Sequence, residues 1–309
     1  MSEENVRILL FHRVCPPDNL SEPSISPELF ERILEYMVRK FTILSLEEYF
    51  FKERIKFIKQ PVILTFDSCH TDFLKYSLPI LKKYDVPATL FISASCIDKQ
   101  LPVWDQLVVY LLRHTSKLSI PDFPFPLEET IKTSWKTRES RIRYSKELIV
   151  ILQSTKYNVR QLIFKHLIAG FNDVKFPADS VLSWEGLANL KSQDVEIGVH
   201  IVLQDSYSRA NDDKELEKEL QMNAVQFRKQ LGNTPTSVSF NTERNSNRVK
   251  NVIHRTGYRL GLAKGQNIYV KSKFGRYSLP RIEIFNEPLF LCKMRINGTI
   301  SWLMRWIHF

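Results

Sequence analysis

Between residues 61 and 92 the hydrophobic pattern of the chain changes period twice. Val62, Ile63 and Leu64 form an apolar run that is β-branched and too short for a helix, so it predicts a buried strand. The run ends in Thr65-Phe66-Asp67, which puts an acid at the carboxyl end of that strand. Phe73, Leu74, Ser77, Leu78 and Leu81 then recur at helical spacing, and Asp85 and Pro87 stop the pattern. Residues 88–92 return to a short apolar run, a second buried strand. The stretch is one βαβ unit, and its first loop carries Ser68, Cys69, His70 and Asp72. In α/β sheets ligands bind at that edge, outside the carboxyl ends of the strands.

The same alternation of short apolar runs and amphipathic stretches continues on both sides. Residues 6–11 predict a first strand, running into His12-Arg13-Val14. A loop rich in Pro, Asn, Asp and Ser follows, ending where Ser26 caps a helix that has Pro27 at its first position. Phe30, Ile33, Leu34 and Met37 mark the buried face of that helix, and Ser45 caps the next one. Residues 195–200 predict a strand ending in His200; 212–231 a long helix; 238–240 a strand; 247–256 a helix closed by Gly257; and 258–263 a strand. Residues 105–180 break the rhythm. They combine helical periodicity with three prolines between 121 and 126, and predict a mostly helical insertion, either a lid or plain packing. The aromatic tail, 300–309, predicts a docked terminal helix.

A chain of 309 residues with 43% hydrophobic content can bury a full core, so one domain over 1–309 with the insertion inside it is expected. The formal charge of +10 suits an anionic partner. No nucleic-acid-binding signature accompanies it, and no nucleic acid is expected. The four cysteines are scattered without C-x-x-C spacing, which argues against a structural zinc knuckle and a disulfide framework. The amino terminus lacks the basic start and apolar core of a signal peptide, and no stretch is long enough to predict a membrane span. A cytoplasmic protein with reduced thiols is the expectation.

The order strand, TFD, helix with PILKKY, then VPATLFI resembles the polysaccharide deacetylases, carbohydrate esterase family four, also known by their NodB homology. The resemblance extends to Phe11-His12-Arg13-Val14, to the Glu196-Ile197-Gly198 phrase before His200, and to Leu279-Pro280-Arg281-Ile282. It implies a distorted (β/α) barrel of about seven strands and a metal-dependent hydrolase that removes N-acetyl groups from a glycan or a cell-surface polysaccharide precursor. The implied partner is a carbohydrate and the implied cofactor a zinc-like divalent metal, bound by one Asp and two His with an open position for water.

Carried over residue by residue, Asp67 matches the catalytic base and His12 the general acid, and Arg281 matches an arginine that orients the base carboxylate. His200 matches the first histidine ligand. The pattern then fails: the metal-binding Asp is Ser68, the glycine after it is Cys69, and the second histidine is Gln204. A hydroxyl is a poor ligand for a hard dication. Asp205, His70 and Cys69 are the candidate replacements. Ser68, His70 and Asn241 are expected to line the substrate cleft, Asn241 standing where the family has its PYG loop. A metal-free arrangement, with Ser68 as nucleophile and a histidine and Asp67 behind it, is a further option. Two functions stay open: an N-deacetylase with an altered metal site, or an inactive relative, without a metal, that binds a glycan or a partner protein in the old cleft.

Overall fold

Seven parallel strands close on themselves because the first strand of the chain pairs on both sides. The structure, a computed structural model, describes residues 5–16, 24–52, 59–101, 104–120, 131–155, 157–176, 180–201, 213–240 and 247–300. Strand β1 (Asn5–Phe11) lies between β5 (Pro61–Asp67) and β11 (Leu279–Glu283), and both pairings are parallel. The ring is completed through β6 (Ala88–Ile92), β7 (Val195–Ile201), β8 (Ser237–Phe240) and β9 (Leu260–Gly265). A short strand β4 (Thr42–Leu44) extends the sheet beside β5, and β10 (Tyr269–Val270) pairs antiparallel with β1. Two further short strands, β2 (Arg13–Val14) and β3 (Ser24–Ile25), pair with each other outside the barrel. This is the expected (β/α) barrel.

Period-two alternation sorts the strand residues into two apolar clusters. Ile8, Ile63, Phe91, Leu260, Leu262 and Leu279 pack together inside the barrel. Leu9, Val62, Leu64, Leu90, Val199 and Ile282 belong to the larger cluster shared with the surrounding helices. Helix α1 (Pro27–Lys40) shows how the outer layer is built. Ser26 accepts the Leu29 amide at 3.2 Å, and Phe30, Ile33, Leu34 and Met37 are buried on one face. Helix α2 (Leu46–Phe51) begins with a capping box between Ser45 and Glu48.

The helix expected after Asp67 is not uniform. Phe73–Ser77 is a π-turn, with the Leu78 amide bonded to the Phe73 carbonyl, and only then does α3 (Leu78–Lys83) begin. Pro79 explains the widening. It has no N–H to donate, and in a regular helix its ring would meet the carbonyl of Lys75; one wide turn relieves both.

After α4 (Ala94–Lys99), the chain leaves the barrel through α5 (Trp104–His114), α6 (Arg138–Ser154) and α7 (Tyr157–Gly170). These helices have an apolar cluster of their own, in which Leu112, Leu148, Leu152 and Phe171 are fully buried. The chain rejoins the barrel at α8 (Trp184–Leu190), which leads to β7; α9 (Asp213–Leu231) precedes β8, α10 (Asn247–Arg255) precedes β9, and α11 (Leu289–Asn297) follows β11. Among the described residues no helix is long and apolar enough to cross a membrane. The aromatic tail from 301 onward lies outside the described residues.

One contact inside the barrel is testable. A Cβ on Gly198 would sit 2.3 Å from the Phe91 ring and 3.0 Å from Ser237 Oγ. Gly198→Ala is expected to destabilise the protein by about 1–3 kcal/mol through overpacking, read as a lower urea midpoint at unchanged slope.

Candidate functional site

Six of the seven barrel strands bring a polar residue to the carboxyl end, and β6 brings Phe91 there. Inward positions run Ile8, Leu10, His12 from β1; Ile63, Thr65, Asp67 on β5; Leu260, Leu262, Lys264 on β9; and Leu279, Arg281, Glu283 on β11. His200 and Ser239 supply the polar positions of β7 and β8. Because all seven strands are parallel, these ends share one mouth. A cavity of about 70 Å³ opens there, lined among others by His12, Asp67, Ser68, Phe91, Asp105, Gln106, His200 and Lys264.

Asp67 and Arg281 form its centre. Arg281 is 0% exposed and grips the carboxylate with both arms, Nη1 to Oδ1 at 2.6 Å and Nη2 to Oδ2 at 2.7 Å. Nη2 also reaches the Phe240 carbonyl at 3.1 Å, and the guanidinium lies 5.6 Å from the centre of the Phe91 ring. Ser239 donates to Asp67 Oδ1 at 3.0 Å, so its oxygen accepts from His200 Nδ1 at 2.8 Å. That fixes the tautomer of His200 with its proton on Nδ1, leaving Nε2 as a lone pair. Burial opposes ionisation of Asp67, but the charge and hydrogen bonds of Arg281, with the nearby histidines, hold it at about 2. Burial lowers the His200 pKa; Asp67 works against this and Arg281 with it, so the ring is neutral at neutral pH.

A second ion pair flanks the first. Glu283, 1% exposed, accepts His12 Nε2 at 2.8 Å and pairs with Lys264 Nζ at 2.7 Å. Burial acts to raise its pKa, yet these two partners bring it below the usual carboxylate value. His12 and Asp67 thus face one cavity, each oriented by a buried group of opposite character.

The remaining expected residues divide. Ser68 lines the cavity, but its hydroxyl accepts the His70 amide at 3.2 Å. The His70 ring bonds Gln106 at 3.2 Å instead of facing Asp67, and His70 is not among the residues lining the cavity. No histidine ring nitrogen bonds Ser68 among the described residues, so the nucleophile–base contact of a metal-free serine arrangement is missing there. Gln204, Asp205 and Asn241 lie outside the described residues. Sequence reasoning missed Ser239, Glu283, Lys264 and Gln106. The first three stand two residues from a recognised inward position or at the end of an inward series, a period-two signal that was present in the chain.

With this geometry in view, the comparisons with known proteins decide the family. Residues 54–261 match the family model described as polysaccharide deacetylase. The chain belongs to the polysaccharide deacetylases. Structures with the same fold include the Streptococcus pyogenes deacetylase PplD in complex with acetate, at 16% identity and a TM-score of 0.61 over 97% of this chain and 98% of that one. A polysaccharide deacetylase from Bacillus cereus gives 12% and 0.60, over 95% of this chain and 69% of that one. IcaB from Ammonifex degensii gives 12% and 0.57, over 95% and 97%. No curated protein matches the chain by sequence.

Deacetylases of this family generally use a divalent metal. The described residues do not fit one. Both Asp67 oxygens are committed to Arg281 and Ser239, Ser68 is a neutral hydroxyl, and His200 Nε2 is one donor where at least three are needed. Among the described residues no group of three or more His, Cys, Asp or Glu is placed to hold a metal ion.

The central ion pair gives two expectations. Arg281→Met leaves a buried carboxylate unpaired and is expected to cost about 3–5 kcal/mol at neutral pH, with Asp67→Asn in that background recovering part of the loss in a double-mutant cycle. Because the Asp67 pKa falls from 3.8 to about 2 on folding, its stabilisation is present above pH 3.8 and lost as pH falls toward 2. Acid titration of wild type against Asp67→Asn, followed by circular dichroism, should show the difference between them shrinking in that window.

Proposed function

We propose that this chain recognises an N-acetylated glycan at the mouth of the barrel, and that it does so without the metal-dependent hydrolysis of its family. The observation that carries the reading is the residue after Asp67. Ser68 supplies a neutral, buried hydroxyl, already engaged with the His70 amide, where the family has an anionic ligand. What remains supports recognition: the cavity offers imidazole, hydroxyl and amide groups beside the Phe91 ring, which suits the hydroxyl and acetamide groups of a sugar.

A second reading, hydrolysis by acid–base groups alone, is favoured by one observation: Asp67 and His12 both line the cavity with their orienting partners in place. In it Asp67 takes a proton from the water that attacks the acetamide carbonyl, and His12 gives one to the departing amine as the C–N bond breaks, yielding acetate and a free amine. A carboxylate held at about 2 is a weak base at neutral pH, which places this reading second.

Acetate release and binding should be measured together on N-acetylated oligosaccharides, with and without zinc. The expected result is saturable binding and no acetate. Acetate release that disappears in Asp67→Asn and in His12→Gln establishes the second reading; absence of binding overturns both. Titration calorimetry with zinc should show no tight site in wild type. Ser68→Asp combined with Gln204→His should gain one, more than either single change, because a dication held by one or two groups keeps most of its water shell. A wild type that binds zinc as tightly as the double variant overturns the altered-site reading.

A further inference from the structure

We infer that the helical insertion is the specificity element of the cleft, with Asp105 contacting the sugar and Gln106 positioning the loop that follows Asp67. The inference rests on the glycan reading and names the residues that select the ligand.

Both ends of the insertion grip the same loop. On its way out, Gln106 on α5 bonds the His70 ring at 3.2 Å. On its way back, the Leu182 amide donates to the Cys69 carbonyl at 2.8 Å, the Thr71 amide to the Ser180 carbonyl at 3.1 Å, and Val181 pairs with His70 as an antiparallel bridge. The loop between β5 and the π-turn is therefore held between the two junctions of the insertion. Its conformation, and with it the placement of Ser68 beside Asp67, depends on a segment distant in sequence.

The first turn of α5 is itself fixed. The Trp104 ring packs 5.6 Å from Phe164 and under the Arg160 guanidinium at 4.9 Å, and Leu107, Val108, Leu111 and Leu112 are buried in the insertion's own core. Asp105 and Gln106 are thereby presented to the cavity from a rigid support and line it together with Asp67 and His200. Asp105 Oδ1 accepts the Gln106 amide at 2.8 Å, which orients the carboxylate. A carboxylate on the wall of a small cavity accepts hydrogen bonds from sugar hydroxyls or from an acetamide N–H. The ligand class is a neutral sugar that donates to Asp105.

The test is calorimetric titration of the full chain with a tetrasaccharide of β-1,4-linked N-acetylglucosamine. Asp105→Asn should weaken binding about tenfold, the size expected for a hydrogen bond to a charged group. Gln106→Leu should weaken it about fivefold through the freed loop, while Gln106→Glu, which keeps an acceptor for His70, should stay within about twofold of wild type. Val150→Ser, on the exposed face of α6 at 65% exposure, is the control and should bind as wild type does. If wild type binds and both Asp105→Asn and Gln106→Leu bind equally well, the inference falls and the glycan reading stands. If Gln106→Glu loses as much as Gln106→Leu, or Val150→Ser loses as much as either, the positioning role is wrong. If wild type does not bind this sugar, both the inference and the glycan reading fall.

Discussion

The bidentate pair between Arg281 and Asp67 is the constraint around which the mouth of the barrel is arranged. A fully buried guanidinium has lost its water, and only a well-aligned carboxylate and further hydrogen bonds offset that loss. The geometry is close to ideal, yet Arg281 Nε has no hydrogen-bond partner among the described residues, so the pair is not free of cost. Its two residues come from β11 and β5, which flank β1 on opposite sides, so the pair spans the first strand from within. Ser239 joins from β8 and links the pair to His200 on β7. One interaction thus ties together strands that are remote in sequence, and any change at Asp67 is felt by Arg281, Ser239 and His200 together.

The polarity of the barrel interior follows from that arrangement. Toward the amino ends the interior is apolar, with Ile8, Ile63 and Leu279 in one buried cluster. Toward the carboxyl ends the same inward positions become His12, Asp67 and Arg281. Buried charges are tolerated only where each meets its counter-charge. The second pair, Glu283 with Lys264 and His12, satisfies that requirement beside the first. Among the described residues the insertion adds no strand to the barrel and carries its own core, so α5 presents Asp105 and Gln106 to the mouth without disturbing the closed sheet.

The unit at 61–92 was legible because its two strands and helix are consecutive, and because Asp67 stands at a position where sheet topology places ligands. His12, His200 and Arg281 were legible through short phrases around them. Their partners were hidden for a physical reason. Parallel strands buried on both faces read as continuous apolar runs, so sequence alone does not say which alternate residues point inward. Glu283 looks like the end of a strand until Leu279 and Arg281 are seen to share its face. Ser239 is a small polar residue between Val238 and Phe240, and only the barrel brings it between Asp67 and His200. The π-turn before Pro79 was equally invisible, since the apolar spacing of a helix barely changes when one turn widens.

Charge accounting explains why Ser68 matters more than its size suggests. Asp67 is balanced by Arg281 and Glu283 by Lys264, while burial keeps His200 neutral. An Asp at 68 would add an anion beside Asp67, whose charge Arg281 already balances, in a cavity that Asp105 also lines, and it would require a further positive charge. A serine removes that requirement, and Gln204 stands where the resemblance puts the second histidine of a separate motif. The two departures point the same way, since together they subtract the anion and the lone pair that a dication would need. Asp67 with Arg281 and His12 with Glu283 are each held in place by direct hydrogen bonds. With Asp67 and Glu283 each held by a cation, the cleft can retain its shape and its hydrogen-bonding groups, and those are what recognition of a neutral sugar draws on.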